Sequence, residues 1–167
     1  YKPSCLLKTA NGLRIAVIGL VSPSLCDQWL QTSFGEVTKD PCAVLPPIIK
    51  QVRAKADLVL VVYHGVLEPT DALAKIPGVD LLLATHRRNQ DRLFPSTESN
   101  IVAAPVGKAG DMVIINSETS TNWCLGRIDL ELTTTGKVKS AKHELVYLNR
   151  SYEEAPAMVK IYDAYNE

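Results

Sequence analysis

Two of the three histidines in this sequence close apolar runs of matching design. Leu58–Val62 leads into Tyr63-His64-Gly65, and Val79–Leu83 leads into Thr85-His86-Arg87. An aspartate stands just before the first run and inside the second, at Asp57 and Asp80. Runs this short and apolar predict buried strands, so His64 and His86 are expected just past two equivalent carboxyl ends. In open α/β sheets the loops leaving that edge converge on a crevice where ligands are held. Neutral imidazole is a good metal ligand, and a loop at a strand end lets it point into such a crevice. The bland alternative is a pair of hydrogen-bonded loop histidines. Arg87 and Arg88 follow the second histidine and offer planar forks for a phosphate or carboxylate; a solvated basic loop is the alternative.

The other chemistry-bearing residues are weaker signals. Gly107-Lys108-Ala109-Gly110 is glycine-rich but lacks the Walker pattern and does not clearly open a helix, so a tight strand connection is expected. His143 lies among charged neighbours and is expected at the surface. Glu68 and Asp71 follow His64 closely, with Asp71 accounted for as a helix cap. Asn149-Arg150-Ser151 fits a glycosylation sequon, relevant only to a eukaryotic secretory setting. No Gly-x-Ser-x-Gly or Gly-x-Gly-x-x-Gly occurs, which weighs against a serine hydrolase or a dinucleotide enzyme.

The four cysteines (Cys5, Cys26, Cys42, Cys124) show no C-x-x-C spacing and no haem-attachment motif. Cys26 and Cys42 bracket one long loop and are the first pair to test; free thiols of a reducing compartment are the alternative. The 167 residues fit one domain with a core of its own. Lysine plus arginine equals aspartate plus glutamate at 18 each, so no basic excess advertises nucleic acid or an anionic membrane. The longest apolar runs fall well short of the roughly 20 residues that span a bilayer. The first residue is Tyr1, which suggests a removed leader or a piece of something longer.

The elements that must position these residues follow from the pattern. Tyr1–Ala10 reads as an arm or the end of an earlier element, and Leu13–Leu20 as a buried strand. Val21–Asp40 reads as a long loop. Pro41–Ala56 is the first helix, with Asp40 as N-cap, Pro41 at the first position and Pro46-Pro47 marking where regular helix starts. Thr70 or Asp71 caps a short helix ending near Pro77-Gly78. After Asn100 the character changes: Ile101–Ala104, Met112–Ile115 and Leu125–Leu132 are short strands, the last forming an antiparallel hairpin with Lys137–Leu148. Ser151-Tyr152-Glu153-Glu154 resembles a capping box for a helix running to Tyr165. The fold class is α/β, parallel or mixed strands first, then antiparallel strands and a C-terminal helix. Residues 1–150 form one domain and 151–167 the closing helix.

These motifs, taken in order, resemble the calcineurin-like metallophosphoesterases, in their 5′-nucleotidase branch. The resemblance runs through LRIAVIGLVSP, the two strand-histidine motifs with Pro77-Gly78-Val79-Asp80 between them, VAAPVGKAGDM and LGRIDLELTTTGKV. It corresponds to the second half of that family's catalytic domain, part of an α-β-β-α sandwich. It implies that His64 and His86 ligate a divalent metal (Zn, Mn or Fe), and that a phosphate ester or nucleotide is the substrate. The family commonly continues the second motif as Gly-His-x-His. Here Arg88 stands at the last histidine, and a guanidinium cannot bind a cation. The family's Asp-x-His, Gly-Asp and Gly-Asn-His elements do not occur in this chain.

Two functions are therefore expected. One is the C-terminal half of a phosphoesterase, inactive alone and completed by a missing N-terminal half-domain or another chain. The other is a catalytically degenerate binding or assembly module of an extracytoplasmic complex. The resemblance extends to proteins that join such a domain to a multihaem cytochrome, which makes one a possible partner. It also implies the periplasm or cell surface.

Overall fold

The computed structural model describes residues 2–23, 39–65, 72–86, 101–104, 106–109, 111–117, 124–147 and 152–166. In chain order the elements are β1 (Ser4–Lys8), β2 (Arg14–Val21), α1 (Pro41–Val52), β3 (Leu58–Gly65), β4 (Leu81–His86), β5 (Ile101–Ala104), β6 (Gly107–Ala109), β7 (Met112–Ser117), β8 (Cys124–Leu132), β9 (Val138–Tyr147) and α2 (Pro156–Asn166). Among the described residues a six-stranded sheet runs β1-β2-β3-β4-β7-β6, and a three-stranded sheet runs β5-β9-β8. Strands β2, β3, β4 and β7 are parallel, with β1 and β6 antiparallel at the two edges. The smaller sheet is antiparallel throughout. The expected α/β order, followed by an antiparallel hairpin and a closing helix, is what the chain forms.

The period-two alternation of strands sorts the core into two layers. On one face Ala16, Ile18, Val59, Val61 and Leu82 pack with Leu45 and Ile49 of α1. On the other, Leu60, Leu81, Leu83, Val113 and Ile115 pack with Ile128, Leu130, Val138 and Ala141 of the smaller sheet. The central strands are thus apolar on both faces, as buried parallel strands must be.

Helix α1 begins where Asp40 predicts, its carboxylate accepting the Cys42 N–H at 2.9 Å. Pro46 and Pro47 lie inside the helix and do not mark its start. They forgo the intrahelical donors to the carbonyls of Cys42 and Ala43; the helix is held instead by its buried row of Pro41, Leu45 and Ile49. The closing helix starts later than its capping pattern predicts. It begins at Pro156, with the N–H groups of Met158 and Val159 donating to Ala155; Ser151 lies outside the described residues. The arm at residues 4–8 is strand β1, paired with β2 from Ser4↔Ile18 to Lys8↔Arg14. Near the expected short helix, Lys75 and Ile76 donate to Ala72 and Leu73, and Gly78 turns the chain at φ +91°. Thr70 and Asp71 lie outside the described residues.

The amino ends of the central strands are tied by arginine–aspartate pairs. Asp57 accepts from Arg14 through the backbone N–H at 2.8 Å, Nε at 3.1 Å and Nη2 at 2.6 Å. Asp80 accepts from Arg53 Nη1 at 2.5 Å and from the Val59 N–H at 2.7 Å. Arg53 also donates to the carbonyls of Gly78, Ala56 and Asp57. The aspartates beside the two apolar runs are therefore structural, and they stand at the sheet edge opposite the histidines.

Candidate metal edge

Parallel strands β2, β3, β4 and β7 carry their carboxyl ends to one edge, and the register gives that edge its order. Val21 pairs with His64, His64 with Thr85, and Thr85 with Ser117, one row across four strands. His86 lies one step further on, opposite Gly65. The two histidines thus sit on neighbouring strands at one edge, offset by a single residue. Both lie within their strands, where loops just past the strand ends were expected. The reason is main-chain pairing: β3 stays in the ladder through Gly65, and the Ser22 N–H donates to the His64 carbonyl at 2.8 Å.

Val59, Val61 and Tyr63 belong to the helix-side core. Alternation therefore turns His64 toward the side of the smaller sheet, where its side chain is exposed. An accessible imidazole on a rigid strand end suits a metal ligand. Tyr63 is fully buried, and its ring lies over Gly65: a Cβ on that glycine would collide with the Tyr63 hydroxyl. Gly65 is what lets the aromatic ring reach the edge directly beside the register position of His86. That pairing escaped the sequence reading; its only trace there is the spacing Tyr-x-Gly around His64.

Arg87 and Arg88 lie outside the described residues, as do Glu68, Asp71, Cys26 and the Asn149 sequon. Among the described residues no group of three or more histidine, cysteine, aspartate or glutamate side chains is placed to hold a metal ion. As ligands, His64 and His86 would supply two of the four or more that a divalent ion takes. The donor chemistry fits a metal, and the ligand count calls for a contribution from elsewhere.

The remaining candidates are placed as follows. His143 is buried, with its Nδ1 unpartnered among the described residues, and is not at the surface. Lys142 and Glu144 alternate to the outer face of β9, whereas His143 shares the inner row with Ala141, Leu145 and Tyr147. Gly107–Ala109 forms β6, paired with Met112–Ile114, and so connects strands as expected. Cys5 and Cys42 are free thiols among the described residues; the expected Cys26–Cys42 pairing falls on Cys26, which lies outside them. Cys42 sits in the first turn of α1, where partial burial and the Asp40 charge raise its pKa and keep it protonated. It is no activated nucleophile. A shallow depression lined by Pro46, Ile49, Arg53, Ile76 and Pro77 lies on the helix layer, away from the histidine edge.

No protein-family model matches the sequence, and no curated protein matches it either. Solved structures do. The chain is similar to a sulfate thiohydrolase SoxB of Thermus thermophilus, with TM-score 0.67 and 18% identity over 97% of this chain and 28% of that one. It is similar to a putative 5′-nucleotidase of Staphylococcus aureus, at TM-score 0.63 and 14% identity, covering 93% of this chain and 32% of that one. A 5′-nucleotidase precursor of Thermus thermophilus aligns at TM-score 0.64 and 16% identity over 95% of this chain and 32% of its own. The chain therefore has the fold of one part of the calcineurin-like metallophosphoesterases. It spans less than a third of the length of these neighbours.

Proposed function

We propose that this chain is the C-terminal part of a metal-dependent phosphate-ester hydrolase domain of 5′-nucleotidase type. Its carrying observation is the pair His64 and His86, on adjacent parallel strands at the carboxyl edge of a metallophosphoesterase-like fold. In this reading both imidazoles hold a divalent ion, Zn, Mn or Fe, and Arg87 and Arg88 take phosphate oxygens as bidentate donors. The bound ion would supply Lewis-acid charge and lower the pKa of a coordinated water. His64 contributes a preset position, because its backbone is fixed between β2 and β4. The Tyr63 ring packs against Gly65 on the helix side of the same edge. The remaining ligands come from the rest of the domain, so the chain alone does not turn over. Periplasm or cell surface is the setting proposed.

Arg88 favours a second reading. Where the family has its next histidine, this chain carries a permanent cation, which repels a metal and suits a degenerate module kept for binding or assembly, with a multihaem cytochrome as one partner. Metal content and hydrolysis of p-nitrophenyl phosphate separate the two, measured on the chain alone and joined to its complementary part. The hydrolase reading expects metal and turnover only in the joined protein, with His64→Ala lowering turnover about a hundredfold or more, beyond the usual cost of losing an outer partner of a ligand. A joined protein with neither metal nor turnover sinks it in favour of the module.

A further inference from the structure

The third histidine, His143, is only 3% exposed and stands between Ala141 and Leu145 on the inner row of β9. Its Nδ1 has neither solvent nor a hydrogen-bond partner among the described residues. Buried polar atoms in native proteins are paired almost without exception, so one that is not calls for a reason. An orphaned N–H is rarer than an orphaned acceptor. In the neutral ring Nδ1 is therefore the bare acceptor, and Nε2 carries the proton.

Nε2 stands beside a glycine. Gly126 of β8 pairs with Leu145, on the diagonal from His143, whose own partner is Ile128. A Cβ on Gly126 would lie 3.6 Å from Nε2, so the ring leans from β9 across to β8. Gly126 is exposed, lies inside the strand and has no positive φ that would demand a glycine. Glycine in a strand interior weakens it and often marks where a ligand approaches closely. The lean is toward the histidine edge. Lys137, just before β9, reaches Asp111, just before β7, at 3.4 Å. Val138 and Ala141 then pack in one cluster with Val113 and Ile115, so β9 runs alongside β7 in the same direction. His143 follows on that row as Ser117 follows on β7, and Ser117 shares its register row with Thr85 and His64. Gly136, in the β8–β9 turn, sits beside Asp57 before β3, which puts β8 on the β3 side. His143 thus leans toward the strand of His64, whose side chain faces the same gap between the sheets.

We propose that His143 is a phosphate-binding residue of the histidine edge, a fixed and neutral donor whose Nε2–H meets an oxygen of the phosphate group held there. This deepens the hydrolase reading and rests on it. The strand-end imidazoles offer lone pairs to a cation, whereas His143 offers a proton to an oxygen. Its apolar neighbours Ile128, Ala141 and Leu145 compete for neither. A donor fixed in such a low-dielectric wall needs no reordering when the anion arrives. No covalent bond is made or broken at His143.

Proton–nitrogen correlation NMR of the chain reads the tautomer directly. The His143 proton is expected on Nε2, and a proton on Nδ1 overturns the proposal. Calorimetric titration of the joined protein with inorganic phosphate, zinc present, is the second arm. His143→Leu fills the apolar row, removes the donor and should weaken phosphate about tenfold. His143→Gln, whose amide nitrogen can stand near the Nε2 position, should recover most of that loss. Unchanged affinity in His143→Leu, an equal loss in both variants, or a joined protein that takes no phosphate overturns the proposal. Urea unfolding of the chain separates a structural role: the His143→Leu midpoint is expected to hold, because no hydrogen bond among the described residues is lost, and a fall shared by His143→Gln counts against the donor. Phosphate affinity is read without turnover. A joined protein that binds phosphate through His143 yet hydrolyses nothing keeps the donor and removes the hydrolase. One that hydrolyses p-nitrophenyl phosphate, with phosphate affinity unaltered in His143→Leu, does the reverse.

Discussion

Gly65 has no room for a side chain, because the Tyr63 ring occupies the space its Cβ would take. Gly65→Ala must therefore displace a fully buried tyrosine at the histidine edge, and overpacking of this kind costs about 1–3 kcal/mol. The expected result is a lower urea midpoint with an unchanged slope; an unaltered midpoint would mean that the ring moves freely. His64 was legible in the sequence because an apolar run ends on it and strands of that kind end at ligand edges. His143 was not. Its charged neighbours Lys142 and Glu144 suggested a surface strand, yet successive residues face opposite sides, so their charge is what an inward His143 requires. An isolated histidine inside alternating polar residues carries no one-dimensional sign of which row is buried.

At the scale of elements, Arg53 is the joint between α1 and the strands. Its guanidinium reaches Asp80 and the carbonyls of Gly78, Ala56 and Asp57. A lysine keeps the charge but cannot span those acceptors with one planar fork. Arg53→Lys is expected to lower stability by about 1–3 kcal/mol through unsatisfied part-buried acceptors, seen as an earlier thermal transition; a shift no larger than that of Lys55→Arg would refute this role. The sequence showed the strands, the N-cap at Asp40 and the β8–β9 hairpin through local patterns. It misplaced the start of regular helix in α1, since two consecutive prolines ordinarily mark a boundary. Burial of Leu45 and Ile49 against the sheet outweighs the two missing donors. The closing helix starts about one turn after the Ser151 capping pattern, because Pro156 suits a first helical position and Ala155 takes the first intrahelical donors.

Across the whole molecule, one edge of the larger sheet holds the arginine–aspartate pairs and the other holds the two histidines. Asp57 bridges the starts of β2 and β3, and its hydrogen bonds to Arg14 hold its pKa at about 2, below the ordinary 3.8. A carboxylate with a depressed folded-state pKa contributes stability above its unfolded value and loses it as pH falls through the folded one. The chain should therefore lose stability between pH 3.8 and about 2, and Asp57→Asn should flatten that part of the profile. Urea titrations across this range check it; an identical slope in the variant would assign the loss to other carboxylates. The α/β-then-β order was readable because it follows from local runs. The division of strands between two sheets was not, since β5 and β6 are separated by two residues yet join different sheets. Which sheet a short strand joins is decided by partners far along the chain.

The strand order has a consequence in time. Strands β1 to β4 are neighbours in the larger sheet in the same sequence as they leave the ribosome. Each can pair with the one before it while the rest of the chain is still unmade, and β7 then joins directly beside β4. Strand β5 must wait, because its only described partner is β9, with Ile101 opposite Val146. Vectorial synthesis thus assembles the histidine edge first and closes the second layer late, when β9 is made. The interval between those events is when the bare face of the larger sheet is most open to being captured by whatever strand reaches it first.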